Sequence, residues 1–303
     1  MNHIWIYLTI ASAFSASICD TILKGNINKD NEILLMTSQF LMALPFLYIF
    51  GFILWLNGLS GQIFHLTQLD SKFYIAFFTA LPLEVAATIL YVKALRSSPI
   101  NLTVPFLSLT PLYLILFSWL MLGEKISIKS GIGIFLIAFG SYVLNIKKLD
   151  KGFFEPFKAI AKERGSLYMI IISILYSFTS VFGKMGVTHS SPLFFGTIYI
   201  TAIALCLSPF AIYSCKRSKT PIITKRNLKI GLCLGAIASF SNIMHFSAIS
   251  IANVSSMIAI KRLGILFSVI LGYIFYKEAG FKERFIGALI MFAGFVLIVT
   301  SSF

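Results

Sequence analysis

Apolar residues run in blocks of about twenty along almost the whole chain, at roughly 4–24, 33–56, 73–95, 100–122, 128–146, 167–187, 192–214, 228–250, 253–275 and 282–300. As helix, at about 1.5 Å per residue, each block is long enough to cross a hydrocarbon core of about 30 Å. The pattern therefore predicts an all-α membrane protein with ten transmembrane helices. The connectors are short except for about 58–71, 147–165 and 215–227, and the last two are basic and hold Pro156 and Pro221. They read as exposed loops.

Composition agrees with this pattern. The chain is 58% hydrophobic and 12% charged with a mean hydropathy of +0.89, against about 25% charged residues in soluble domains. The first block begins within a few residues of Met1, without a basic transit peptide or a small-residue cleavage site. The first span is expected to be retained, which favours a prokaryotic inner membrane over an organelle import route.

A formal charge of +14 would suggest nucleic acid in a soluble protein. Here the cations fall in connectors, and no nucleic-acid partner is expected. Connectors after spans one, three, five, seven and nine hold nineteen Lys and Arg, whereas the opposite face holds Lys72, Lys125 and Lys129. Cytoplasmic connectors carry such an excess, so both termini are expected outside. The four cysteines show neither CxxC nor Cys/His spacing, so no metal, cofactor or disulfide framework is expected.

The chain also repeats itself. A shift of 154 places Ala94 on Ala248, Glu124 on Glu278, Ile132 on Ile286, Gly133 on Gly287 and Gly140 on Gly294. A shift of 160 places Ser17 on Ser177 and Lys24 on Lys184. The expected units are residues 1–147 and 166–303, joined by a basic connector at 148–165. Five spans per unit is an odd number, so the second unit must be inverted relative to the first, with binding near the midplane between them.

Within the spans, polar residues recur at helical spacing of three and four. Span one presents Ala13, Ser17, Asp20 and Lys24; span six presents Ser173, Ser177, Ser180 and Lys184; span three gives Glu84, Thr88 and Tyr91; and span eight gives Ala238, Asn242 and His245. Span nine gives Met257, Lys261, Gly264, Ser268 and Gly272, with Arg262 beside Lys261. Polar faces on several helices predict one wet cavity, although serine stripes also serve close helix packing. Lys24 and Lys184 lie near span ends, where a lysine can reach the interface or balance charge, and Asp20 can pair with Lys24 one turn away. Pro105 and Pro111 in span four are candidate bending points for gating. The Gly133/Gly140 and Gly287/Gly294 pairs read as packing surfaces, and Glu124 and Glu278 as helix-end structure.

Lys261 and Arg262 are harder to explain as structure. Each costs about 2.5–3.5 kcal/mol at a helix centre, and Lys261 lies roughly 12 Å inside the span, counting 1.5 Å per residue from Asn253. Either cation could pair with Glu84, which still leaves one over. A buried cation beside a polar cavity suits an anionic group, with Arg supplying a planar fork and Lys a point charge.

The stretch Pro111-Leu-Tyr-Leu-Ile-Leu-Phe-Ser118-Trp-Leu-Met-Leu-Gly123-Glu124-Lys, followed by Gly131-Ile-Gly133 and Gly140, resembles an EamA repeat of the drug/metabolite transporter superfamily. Its counterpart ends at Glu278 with Gly287 and Gly294, so the resemblance covers essentially the whole chain. It implies a ten-helix carrier with alternating access around a central cavity, and it leaves the substrate open. The Lys261-Arg262 pair also resembles the Lys-Arg pair in the ninth helix of the plastidic phosphate translocators, which implies an anion-holding role for these two residues alone. No lysine lies within span four, so a complete triose-phosphate site is not implied.

Together these features predict a secondary transporter for a small anionic or zwitterionic organic molecule, phosphorylated cargo included, gripped by Lys261 and Arg262. Glu84, Thr88, Tyr91, Asn242, His245 and Ser268 would complete the site. One unneutralised cation in the empty carrier would favour exchange over uniport, with a counter-substrate or a proton as coupling partner. Proton-driven export of amphipathic compounds or amino acids, through Asp20 or Glu84, and a lipid-headgroup flippase are the alternatives. No nucleophile–base constellation appears, so an enzyme is not expected, and either a monomer or a homodimer fits the sequence.

Overall fold

The computed structural model describes residues 3–27, 32–58, 69–97, 104–145, 164–218, 221, 224–276 and 285–301. These residues form α1 (Ile4–Ile27), α2 (Glu32–Leu56), α3 (Ser71–Ser97), a 3-10 turn at Val104–Leu109, α4 (Thr110–Leu122) and α5 (Ile128–Asn145). Then follow α6 (Arg164–Thr188), α7 (Pro192–Ser218), α8 (Lys225–Ile251), α9 (Val254–Lys261), α10 (Gly264–Tyr276) and α11 (Phe285–Ser301). Among the described residues there is no strand.

Among the described residues, seven segments are long and apolar enough to cross a bilayer, and three more, at Phe106–Leu122, Ile128–Val143 and Ile286–Ser301, are apolar but shorter. Large apolar side chains ring the outside: Phe52, Trp55, Phe78, Trp119, Leu205, Tyr273 and Phe275 are each more than half exposed. In water such a surface would aggregate, whereas lipid tails accept it, so the chain is an integral membrane protein.

Two expected spans are not single helices. Span four is a 3-10 turn that becomes α-helical at Thr110. Pro105 lies in the turn and Pro111 in the first turn of α4, where a missing N–H costs nothing. Pro111 therefore starts a helix instead of kinking one. Span nine breaks at Arg262 and Leu263, between α9 and α10, with Ile265 and Leu266 N–H bonded to the carbonyls of Arg262 and Leu263 at 3.0 and 2.9 Å. The 154-residue offset lays Gly264, the first residue of α10, on Thr110, the first residue of α4.

Helices pair across the two halves of the chain: α1 packs on α8, α3 on α6 and α5 on α11. Ser12 and Ser241 tie α1 to α8 reciprocally, each hydroxyl donating to the other's carbonyl at 3.0 Å. The α5–α11 seam depends on glycine. A Cβ on Gly133 would stand 2.7 Å from the Gly294 carbonyl oxygen, one on Gly294 2.6 Å from that of Gly133, and one on Gly140 2.8 Å from that of Gly287. The seven-residue glycine spacing thus marks a contact between backbones.

One end of the bundle is held by charged side chains. Gly123, at φ 68°, ends α4 in the left-handed conformation with its N–H on the Trp119 carbonyl, and Glu124 N–H reaches the Ser118 carbonyl. Such a stop favours glycine. It delivers Glu124, whose Oε2 accepts the Val254 N–H at the start of α9 at 2.9 Å. Lys184 Nζ from α6 donates to the carbonyls of Ile249, Ser250 and Ala252 at 2.6, 3.0 and 2.9 Å. A cation on the last carbonyls of α8 meets both their hydrogen-bonding capacity and the negative end of the helix dipole. Burial pushes the Glu124 carboxyl above its usual range, against the opposing pull of the Val254 N–H and Lys184. The described ion pair of the chain, His189 with Asp70 at 2.8 Å, lies elsewhere: Asp70 caps α3 through the Phe73 N–H, which, with His189, holds its carboxyl below the ordinary range.

Two stability outcomes follow. Gly133→Leu or Gly294→Leu should lower the melting temperature of the detergent-solubilised protein by several degrees, reflecting overpacking of about 1–3 kcal/mol or more where backbone leaves no room to relax. Gly183→Ala, with nothing within 4 Å of the added carbon, should leave it unchanged. Lys184→Met, which strands three carbonyls, should cost on the order of 3 kcal/mol, whereas Lys72→Met at an exposed position should cost nothing measurable.

Candidate functional site

A cavity of about 370 Å³ lies in the middle of the bundle, bounded by α1, α6, α7, α8, α9 and α10 with single residues from α2, α3 and α4. The serine pair Ser12/Ser241 and the Cys19 contact to Leu234 show α1 and α8 running antiparallel. On that register the cavity extends from the level of Ile249 to that of Asp20, which follows from its lining.

Its charged lining is Asp20 from α1, Glu84 from α3, Lys261 from the end of α9 and Arg262 from the break that follows. Lys261 donates toward His245 Nδ1 at 3.1 Å. Arg262 donates from a terminal nitrogen to Thr110 Oγ1 at 2.9 Å, and Thr110 Oγ1 in turn donates to the Leu107 carbonyl at 2.8 Å. Arg262 thereby bridges the two broken spans. Its Nε is enclosed without a hydrogen-bond partner among the described residues.

No basic side chain lies within ion-pair distance of Asp20 or Glu84 among the described residues, and the Lys24 side chain is outside them. The pairing of Lys261 or Arg262 with Glu84 is therefore not made. Asp20 faces the cavity and stands close enough to Lys261 to feel its charge, as Glu84 does. Among the described residues, two carboxylates thus confront two cations in the lining, in place of the single uncompensated cation expected from the sequence.

Of the other expected residues, Asn242, His245 and Ser268 line the cavity. Thr88 does not: its hydroxyl bonds back to the Glu84 carbonyl at 2.9 Å, and the side chain lines a separate small void beside Ile33 and Leu207. Tyr91 packs with Phe106 and Met169 behind the lining, within electrostatic reach of Arg262. Lys184 holds the end of α8 instead of balancing cavity charge. Pro111 is not among the described lining residues, and the Pro105 side chain lies outside the described residues. Glu278 lies outside the described residues.

The serine stripe of span six serves two purposes. Ser180 lines the cavity, whereas Ser173 and Ser177 are fully buried, with Ser177 donating to the Thr110 carbonyl at 3.1 Å and the Ser173 carbonyl at 2.7 Å. Residues not foreseen complete the wall: Phe40, Thr110, Tyr176, Thr179, Tyr199 and Phe246. Tyr176, Ser180 and Gly183 follow helical spacing of four and three, meeting the serine stripe at Ser180, and that spacing was the available signal. The Tyr199 hydroxyl is already committed to the Ala80 carbonyl at 3.2 Å.

A charged, roughly balanced and partly aromatic chamber buried between the two halves suits reversible enclosure of a small polar molecule. Among the described residues no group of three or more metal-ligating side chains gathers. A solved crystal structure with 14% sequence identity superposes over 99% of this chain and 98% of its own, with a TM-score of 0.73, which establishes a shared fold. No curated protein matches the chain. The profile of the EamA-like transporter family matches residues 3–146 and again 163–300, once in each half, so the chain belongs to the EamA-like transporter family.

Proposed function

We propose that the chain is a secondary transporter carrying a small zwitterionic or anionic organic molecule across the inner membrane by alternating access. Its two five-helix units would be inverted relative to one another, ten spans in all, with both termini outside. The observation that carries this reading is the cavity itself: Asp20, Glu84, Lys261 and Arg262 share one chamber of about 370 Å³.

A zwitterion is the cargo the charges favour. Lys261 and Arg262 would hold its carboxylate or phosphate, and Asp20 and Glu84 its ammonium, each as a charge-assisted hydrogen bond. Cargo and site would both be electrically balanced, so the empty carrier has no charge excess to hold it in place. Obligatory exchange loses its basis, and net uptake becomes the expected mode.

Both carboxylates facing the cavity without an ion pair among the described residues favour a second reading, proton-driven export of amphipathic cations. Charge-matched solutes separate the two readings. In proteoliposomes the zwitterion glutamine should be taken up saturably, whereas glutarate and 1,5-diaminopentane, of similar length, should not. Lys261→Met and Arg262→Gln should each lower glutamine uptake at least tenfold, the loss of one charged hydrogen bond of about 1.5–3 kcal/mol. If the diamine alone is moved, and only Asp20→Asn or Glu84→Gln stops it, the exporter reading stands instead.

A further inference from the structure

Lys261 Nζ lies 3.1 Å from His245 Nδ1. A lysine ammonium can only donate, so Nδ1 accepts and a neutral His245 must carry its proton on Nε2. That nitrogen has no hydrogen-bond partner among the described residues and is not among the enclosed atoms left without one. It is therefore open to the cavity that His245 lines, a free neutral N–H donor. Two protonated nitrogens at this separation would repel, so the pair holds a single positive charge while the site is empty.

The groups facing His245 are few. Asp20 comes from α1, Glu84 from α3, Tyr176 from α6, Tyr199 from α7, and Lys261 and Arg262 from α9 and the break after it; α2 offers the uncharged Phe40 and α4 the hydroxyl of Thr110. Protonating Asp20 or Glu84 would remove an anion needed for the cargo's ammonium. Protonating His245 would have the opposite effect, because it releases Lys261.

We infer that Lys261 and His245 share one proton in the empty carrier and take up a second, on His245 Nδ1, together with the anionic group of the cargo. The inference rests on the transport reading above. The proton arrives through water in the cavity, Lys261 gives up its donation to Nδ1, and the freed ammonium N–H turns to the cargo's anion. No covalent bond other than N–H forms, and release reverses the step. Cargo then moves with one proton, and a zwitterion so carried brings one net positive charge.

The test has two arms on the full-length protein. With four histidines in the chain, ¹⁵N-histidine NMR of the purified protein without ligand should show His245 as the Nε2–H tautomer with Nδ1 accepting, and the Nδ1 signal should shift in Lys261→Met. An Nδ1–H tautomer, or a signal indifferent to Lys261→Met, overturns the shared proton. In proteoliposomes containing a pH-sensitive dye, glutamine influx should bring close to one proton per molecule and rise with an inward proton gradient. His245→Gln, which can still accept from Lys261 and donate into the cavity but cannot titrate, should reduce that ratio to near zero and flatten the pH profile. An unchanged ratio in His245→Gln, or saturable uptake by the unmodified protein without proton movement, refutes the coupling while leaving the carrier reading intact. Absence of any saturable glutamine uptake would refute the carrier reading itself, and the NMR arm would still decide the pair.

Discussion

Holding ionised side chains inside a lipid-facing bundle without strapping them to one another is the constraint that organises this protein. Each charge would be costly in hydrocarbon, and the usual remedy is a tight ion pair. Here Lys261 and Arg262 take neutral partners instead, a ring nitrogen and a threonine hydroxyl, while Asp20 and Glu84 line the same cavity. Only an aqueous chamber makes that arrangement tolerable. The chamber in turn exists because helices from the two halves pair around it, with the glycine seam of α5 and α11 set to one side.

The broken helices serve the same end. Lys261, the last residue of α9, and Arg262, at the break, both line the cavity, and the 3-10 turn ending at Leu109 places the Thr110 hydroxyl at the start of α4 to receive Arg262. Ser177 adds a second bond to Thr110, on its carbonyl. The polar contacts therefore run from α6 through the beginning of α4 to the break in span nine, so a shift at either break is felt at the charges.

Hydropathy made the fold legible, since lipid demands apolar length and little else, and duplication made the glycine seam legible through its repeated spacing. The site was legible where a residue's cost in lipid was high: Asp20, Glu84, Lys261, Arg262, Asn242 and His245 all reached the cavity. It was illegible where the same periodicity serves two neighbours. Thr88 and Ser177 share a stripe with cavity residues yet spend their hydroxyls on backbone carbonyls, which is what a short hydroxyl does when a carbonyl is nearer than water. Helix breaks were hidden as well, because Pro105 and Pro111 mark an interruption without saying whether the chain kinks or begins anew. Tyr176 and Tyr199 looked like ordinary apolar bulk.

Lys184 and Lys261 show why a charge within a span is not by itself a binding residue. Both are amines on long stems inside the bundle. Lys184 meets three carbonyl oxygens at the end of α8, as many acceptors as an ammonium has hydrogens, and has nothing left to offer a ligand. Lys261 has one acceptor among the described residues, His245, and a cavity in front of it, which leaves two of its three hydrogens for water or cargo. The number of acceptors the fold supplies, more than depth in the membrane, separates the lysine that builds the structure from the one that works in it.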